Sequence, residues 1–182
     1  MTLDILVFAA HPDDAELSMG GTIAKLTKGK YKVGIIDLTK GELGTRGNEK
    51  TRQTEAAKAD KILNVSARVN LGIPDGDIQR TKENLMMVIK EIRKFKPKII
   101  FAPYFNDRHP DHHDTSVLIK EAMFSTGLPK IKTFDNRVGQ KAYRPKKLFY
   151  YMQNSGRLRL ALLYNRLRDV IAAGPSQQPG SV

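Results

Sequence analysis

Four histidines stand in this chain of 182 residues: His11, His109, His112 and His113. Each has an aspartate within two positions, in the stretches His11-Pro-Asp-Asp14 and His109-Pro-Asp-His-His-Asp114. The chain has no cysteine. Thiolate metal sites, cysteine nucleophiles and disulfides are therefore excluded, and a metal must be held by His, Asp or Glu. Imidazole nitrogens and carboxylate oxygens without sulfur suit a catalytic zinc, which takes three protein ligands and keeps one position open. The same ligand types suit iron(II) or manganese, so ligand chemistry leaves the ion open. Each motif has a bland alternative. Asp13 or Asp14, and Asp111 or Asp114, are also ordinary helix caps. Two such motifs at one edge of one sheet argue for shared chemistry instead.

The elements that must position these motifs are legible as alternating apolar runs and helical patterns. Ile5 to Ala10, Val33 to Leu38 and Lys98 to Ala102 are short unalternated apolar runs, as expected of strands buried on both faces. Leu148 to Met152 is a further strand and Arg68 to Leu71 a weak one. Helices are expected over 18 to 29, with Met19, Ile23 and Leu26 inward, and over 49 to 63, with Ala56, Ala57, Ala59 and Ile62 on one side. The clearest amphipathic pattern runs over 80 to 95, with Leu85, Val88, Ile89 and Ile92 at spacings of three and four, and Pro97 ends it. A last helix is expected over about 113 to 126. The polar stretch Thr39 to Asn48 reads as a loop and Ile73 to Asp77 as a turn.

This rhythm predicts an α/β fold, a mostly parallel, Rossmann-like sheet with helices on both faces. Ligands of such sheets sit beyond the carboxyl ends of the strands. The segments after Ala10, Leu38, Leu71 and Ala102 should therefore converge, and they carry the polar residues described above.

Ala10-His-Pro-Asp-Asp-Ala-Glu16 and His109-Pro-Asp-His112 resemble the two signature motifs of the LmbE-like (PIG-L) zinc-dependent N-acetylglucosamine deacetylases. Gly41 to Gly47 with Thr51-Arg52, and Leu71 to Asp77, are similar to further loops of that family. The resemblance covers about residues 3 to 153, and its branch nearest in appearance is the bacillithiol-biosynthesis deacetylases, which act on an N-acetylglucosaminyl malate. It implies zinc ligands at His11, Asp14 and His112 and a general base at Asp13. It implies that His109 assists near the developing oxyanion with Asp111 supporting it, that Arg52 stands near substrate, and that Asp75 meets a sugar hydroxyl. It also implies a homo-oligomer.

The chemistry is coherent on the residues alone. A divalent ion acidifies water and polarises an amide carbonyl. Asp13 is placed beside Asp14 to take the proton, and a charged His109 held by Asp111 would stabilise the oxyanion. Either Asp13 or His109 could protonate the leaving amine. Arg52 and Arg46 are candidates for an anionic substrate group such as the malate carboxylates, against the alternative of solvated loop arginines. His113 reads as a helix-start residue, Glu16 as an orienting group or an ion-pair member, and Tyr104 and Phe105 as core or mouth residues.

Net charge is +12. The lysines are scattered without a block of like charge, and no nucleic-acid reader motif accompanies them, so nucleic acid is not the expected partner. No stretch approaches the ~20 apolar residues of a membrane span, and the start lacks the pattern of a signal peptide. The expected location is the cytoplasm. The deacetylase domain is expected over 1–153. A divergent basic segment follows over 154–182, with an amphipathic helix over 157 to 173 and a disordered tail over 174–182. That divergence keeps two other functions open: a metal-binding fold without turnover, and an anionic-ligand or nucleic-acid binding module.

Overall fold

The computed structural model describes residues 1–45 and 47–152. The element order is β1 (Ile5–Ala9), α1 (Asp14–Lys28), β2 (Val33–Asp37), α2 (Glu49–Leu63), β3 (Ala67–Asn70), α3 (Lys82–Phe95), β4 (Ile99–Pro103), α4 (Pro110–Ser125), β5 (Phe134–Asp135), β6 (Val138–Gly139) and β7 (Lys147–Tyr151). Arg46, the basic helix expected over 157–173 and the tail over 174–182 lie outside the described residues.

Five strands form one parallel sheet in the order β3-β2-β1-β4-β7. The three central strands are buried along their whole length, which explains their unbroken apolar sequences. Their side chains alternate between two cores. Leu6, Phe8, Ile36 and Ile100 pack with Val88, Ile89 and Ile92 of α3 and with Leu118 and Ile119 of α4. Ile5, Val7, Ile35, Ile99 and Phe101 pack on the other face with Met19, Ile23 and Leu26 of α1. Strand order reverses between β1 and β4, so the segments leaving these two neighbours diverge and open a crevice at the carboxyl edge.

Three features differ from the sequence expectation. Helices α1 and α4 begin at Asp14 and Pro110, three or four residues earlier than their apolar patterns. Their first turns are made by the polar motifs themselves, which carry no apolar periodicity. Pro110 fits the first turn because its missing N–H would have no helical partner there. Helix α2 has the expected bounds but buries no residue, and Ile62 is 83% exposed. Ala56 and Ala57 line an open cleft together with the polar residues Asp37, Asp60 and Arg68. Thr27 Oγ1 donates to Leu63 O at 2.8 Å, and Arg68 reaches Asp60 at 3.1 Å. The hairpin β5–β6 has no counterpart among the expected elements. Its two-residue turn, Asn136-Arg137, has φ of 48° and 67°, the paired left-handed conformation that matches strand twist.

Candidate metal centre

The chain leaves β1 through His11 and Pro12 and enters α1 at Asp14. Asp13 occupies the N-cap with φ 116° and makes no side-chain capping bond. A non-glycine residue in that conformation is strained. The strain sets Asp13 outside the helix while Asp14 turns inward, so the adjacent carboxylates separate: Asp13 is exposed and Asp14 is buried. Beyond β4, His109 is the N-cap of α4, and Asp111 and His112 lie buried in its first turn. The N-terminal ends of α1 and α4 thus both meet the crevice, where their dipoles favour the carboxylates of Asp14 and Asp111.

Asp14 Oδ2 lies 3.3 Å from His11 Nδ1 and 3.4 Å from His112 Nε2. It also accepts from the backbone N–H of His11 at 2.9 Å. One ligand atom from each of His11, Asp14 and His112 lies within 4.8 Å of the others. Zinc bonds of about 2.0–2.2 Å in a tetrahedron put neighbouring ligand atoms roughly 3.3–3.5 Å apart. Two edges of this triangle already have that length. Its two imidazole nitrogens and one carboxylate oxygen fit a catalytic divalent ion and leave a position open. A second set, His11, His109 and Asp111, meets the same proximity limit. It shares His11 and therefore competes for the imidazole.

The electrostatics follow from this crowding. Burial works to lower the His11 pKa, but the hydrogen bond and charge of Asp14, the hydrogen bond to Asp111 and the charge of Asp75 outweigh it and raise His11 to about 9. His112 is raised the same way: burial opposes, and Asp14 and Asp107 prevail. Asp14 resists burial because both histidines hold its carboxyl well below the usual range. Asp13, exposed but partly desolvated at the crevice mouth, is pushed up by that desolvation and by its neighbour Asp14, against Arg52 and His11. His109 is pushed down by burial and by the two other histidines.

The contacts of Asp111 differ from expectation. Its carboxylate does not hold His109. Oδ2 of Asp111 lies 3.0 Å from His11 Nε2 and accepts from Gly76 N–H at 2.9 Å. His109 instead accepts the backbone N–H of Asp111 on Nδ1 at 3.3 Å. The neutral ring then carries its proton on Nε2, so His109 is a neutral donor rather than an imidazolium. The reason is local: as the N-cap, His109 turns its Nδ1 back onto its own helix.

Asp75, expected against a sugar hydroxyl, has both oxygens engaged by protein. Oδ1 meets His11 Nε2 at 3.0 Å and Oδ2 accepts from Leu43 N–H at 2.9 Å. Arg52 reaches Pro12 O at 3.4 Å and Asp13 at 3.6 Å, lying beneath Gly41 and Gly44. A cleft of about 290 Å³ opens over the cluster, lined by His11, Asp13, Leu43, Arg52, Asp75 and His109. His113 turns away, its Nδ1 2.6 Å from Phe105 O.

Sequence reasoning missed a second polar cluster at the ends of β2 and β3. Arg68 binds both oxygens of Asp37 at 2.7 and 2.9 Å and reaches Glu16 and Asp60 through Nη1. Burial lifts Asp37 to about 6 against the pull of Arg68, with Glu16 and Asp60 adding to the lift. Its partners lie 8, 31 and 52 positions from Arg68. The one sequence signal was Asp37, a charged residue at the end of the otherwise apolar strand β2.

The sequence profile of the family described as PIG-L, GlcNAc-PI de-N-acetylase, matches residues 6–123. The chain is 31% identical over 160 residues to a diacetylchitobiose deacetylase of Thermococcus kodakarensis, a match covering 81% of this chain and 59% of that protein. The chain therefore spans about three fifths of that relative's length. Among solved structures, the conserved protein TT1542 of Thermus thermophilus superposes with a TM-score of 0.79 at 34% identity, covering 93% of this chain and 77% of that one. N,N'-diacetylchitobiose deacetylase of Pyrococcus horikoshii shares the fold, with a TM-score of 0.74 at 24% identity over 92% of this chain and 67% of that one.

Proposed function

The chain belongs to the PIG-L (LmbE-like) family, and from that premise we propose that it is a divalent-metal-dependent hydrolase. It removes acetyl from an N-acetylglucosamine-type sugar conjugate, with N-acetylglucosaminyl malate as the favoured substrate. The observation that carries this reading is the joining of His11, Asp14 and His112 around one point, with Asp13 beside them on strained backbone at the mouth of a cleft.

In this reading His11, Asp14 and His112 hold zinc, with iron(II) or manganese as alternatives of the same ligand chemistry. The ion, when bound, supplies Lewis acidity that activates water and polarises the amide carbonyl. Asp13 takes the proton of the attacking water. Its carboxylate is not used in capping, and its raised pKa brings it closer to neutral pH, where a general base works best. His109 offers its Nε2–H to the developing oxyanion, because its Nδ1 is already an acceptor. Protonation of the leaving amine then falls to Asp13, which holds the proton taken from water. Arg52 lines the cleft and would meet an anionic aglycone. Among the described residues no helix is long and apolar enough to cross a membrane.

The test is acetate release from N-acetylglucosaminyl malate, inositol and chitobiose conjugates, after loading with zinc, iron(II) or manganese in turn. Release is expected from at least one conjugate, lost on chelation. Asp13→Asn should lower it about 10²–10⁴-fold while metal content stays unchanged. Full metal content with no acetate from any acceptor would overturn the hydrolase reading in favour of binding without turnover.

A further inference from the structure

Two carboxylates distant in the chain, Asp75 in the turn after β3 and Asp111 in the first turn of α4, approach one ring nitrogen of His11. Asp75 Oδ1 and Asp111 Oδ2 each lie 3.0 Å from Nε2, from positions 64 and 100 residues away. Carboxylate oxygens accept hydrogen bonds, so the tautomer that suits both contacts carries its proton on Nε2. The lone pair left for an ion is then on Nδ1, the nitrogen that faces Asp14 Oδ2.

Neither carboxylate is loosely held. Asp111 is 2% exposed, and the backbone N–H of Gly76 fixes its Oδ2 at 2.9 Å. Gly76 has φ of 75°, a conformation open to glycine without strain. Asp75 is clasped to the loop before α2 in both directions. Its Oδ2 accepts from Leu43 N–H at 2.9 Å, and its own N–H donates to Glu42 Oε1 at 2.8 Å.

We propose that Asp75 and Asp111 are positioning residues that hold His11 as its Nε2–H tautomer and present Nδ1 to the metal, with Asp75 tying that ring orientation to the loop at Glu42 and Leu43. The inference rests on the metal-dependent reading of the site and deepens it. It gives Asp111 a partner other than His109 and gives Asp75 a task other than sugar contact. Carboxylates on the outer nitrogen of a ligating histidine fix its orientation and raise its basicity, and their loss typically weakens metal binding about 10–100-fold.

The experiment uses the full chain labelled with ¹⁵N at histidine, with zinc as the probe and no substrate. Long-range proton–nitrogen spectra of the zinc-loaded, unaltered protein should show His11 protonated at Nε2 and zinc-bound at Nδ1, its signals assigned by their loss in His11→Ala. Competition with a chelator should show zinc dissociation constants raised about 10–100-fold in Asp75→Asn and in Asp111→Asn. Zinc bound at Nε2 of His11, or variant affinities within about twofold of the parent, would overturn the proposal. The tautomer is read on unaltered protein, so a variant that fails to fold leaves the decision intact. Because no substrate enters, a chain that never releases acetate defeats the proposed reaction without touching this assignment. A zinc-bound Nε2 defeats this assignment without touching the reaction.

Discussion

Beyond β1 and β4, Asp14, Asp75 and Asp111 converge on His11, with His112 completing a ligand triangle on Asp14. Beyond β2 and β3, at the same sheet edge, Glu16, Asp37 and Asp60 converge on Arg68. Each region gathers three carboxylates around one basic side chain. The larger cleft, about 570 Å³, lies over the arginine cluster, and the proposed chemistry lies over the histidines. The central group explains the contrast. A guanidinium is always charged and offers only donors, so it leaves no lone pair for an ion. An imidazole gives up a proton near neutral pH and then offers a lone pair. The arginine cluster thus keeps its fixed positive charge, whereas the histidine cluster can exchange its protons for a cation.

Three measurements put this contrast at risk. The largest effect is expected from His112→Ala, which removes a ligand without touching Arg68. Zinc stoichiometry, measured by elemental analysis after dialysis, should fall from near one to near zero and acetate release to background. Retention of a full equivalent of zinc would move the ion elsewhere, to the competing set that includes His109 and Asp111.

Next is Arg68→Met. Removing one partner of a buried ion pair leaves its carboxylates uncompensated, at a cost of about 3–5 kcal/mol. Urea unfolding should show that loss whether or not zinc is present, and the folded fraction should bind zinc as the parent does. Equal stability of parent and variant would mean that the arginine is not what holds the second cluster together.

The smallest effect is a difference in pH response. His11 is raised from its ordinary 6.5 to about 9 in the metal-free fold. Its contribution to stability is therefore full below about 6.5 and is lost as pH rises through about 9. Unfolding temperature of chelator-treated protein should fall across that window. Zinc-loaded protein should stay nearly level there, because the ion takes the proton's place. Arg68 does not titrate in this range, and Asp37, raised to about 6, completes its own titration near the lower end of the window. A level profile for the metal-free protein would show that His11 is not held charged.

Much of the fold could be read from local pattern, since β1, β2 and β4 are buried on both faces and leave unbroken apolar runs. The histidine–aspartate motifs were legible for a similar reason, because each is contiguous. What escaped was long-range or self-contradictory locally. The three partners of Arg68 share no spacing with it. The apolar side assigned to α2 proved unburied, with Ala56 and Ala57 lining an open cleft over polar residues of the sheet edge. The starts of α1 and α4 differ from their patterns because functional polar residues build those first turns.

Residue order alone dictates which chemical groups meet at the sheet edge, since contiguous motifs and the alternation of strands suffice to bring His11, Asp14 and His112 to one crevice. Which nitrogen of His11 faces Asp14, and which carboxylates claim the other, is fixed only once the chain is folded. A ring's tautomer is set by the partner on each side, and here those partners arrive from positions 64 and 100 residues away.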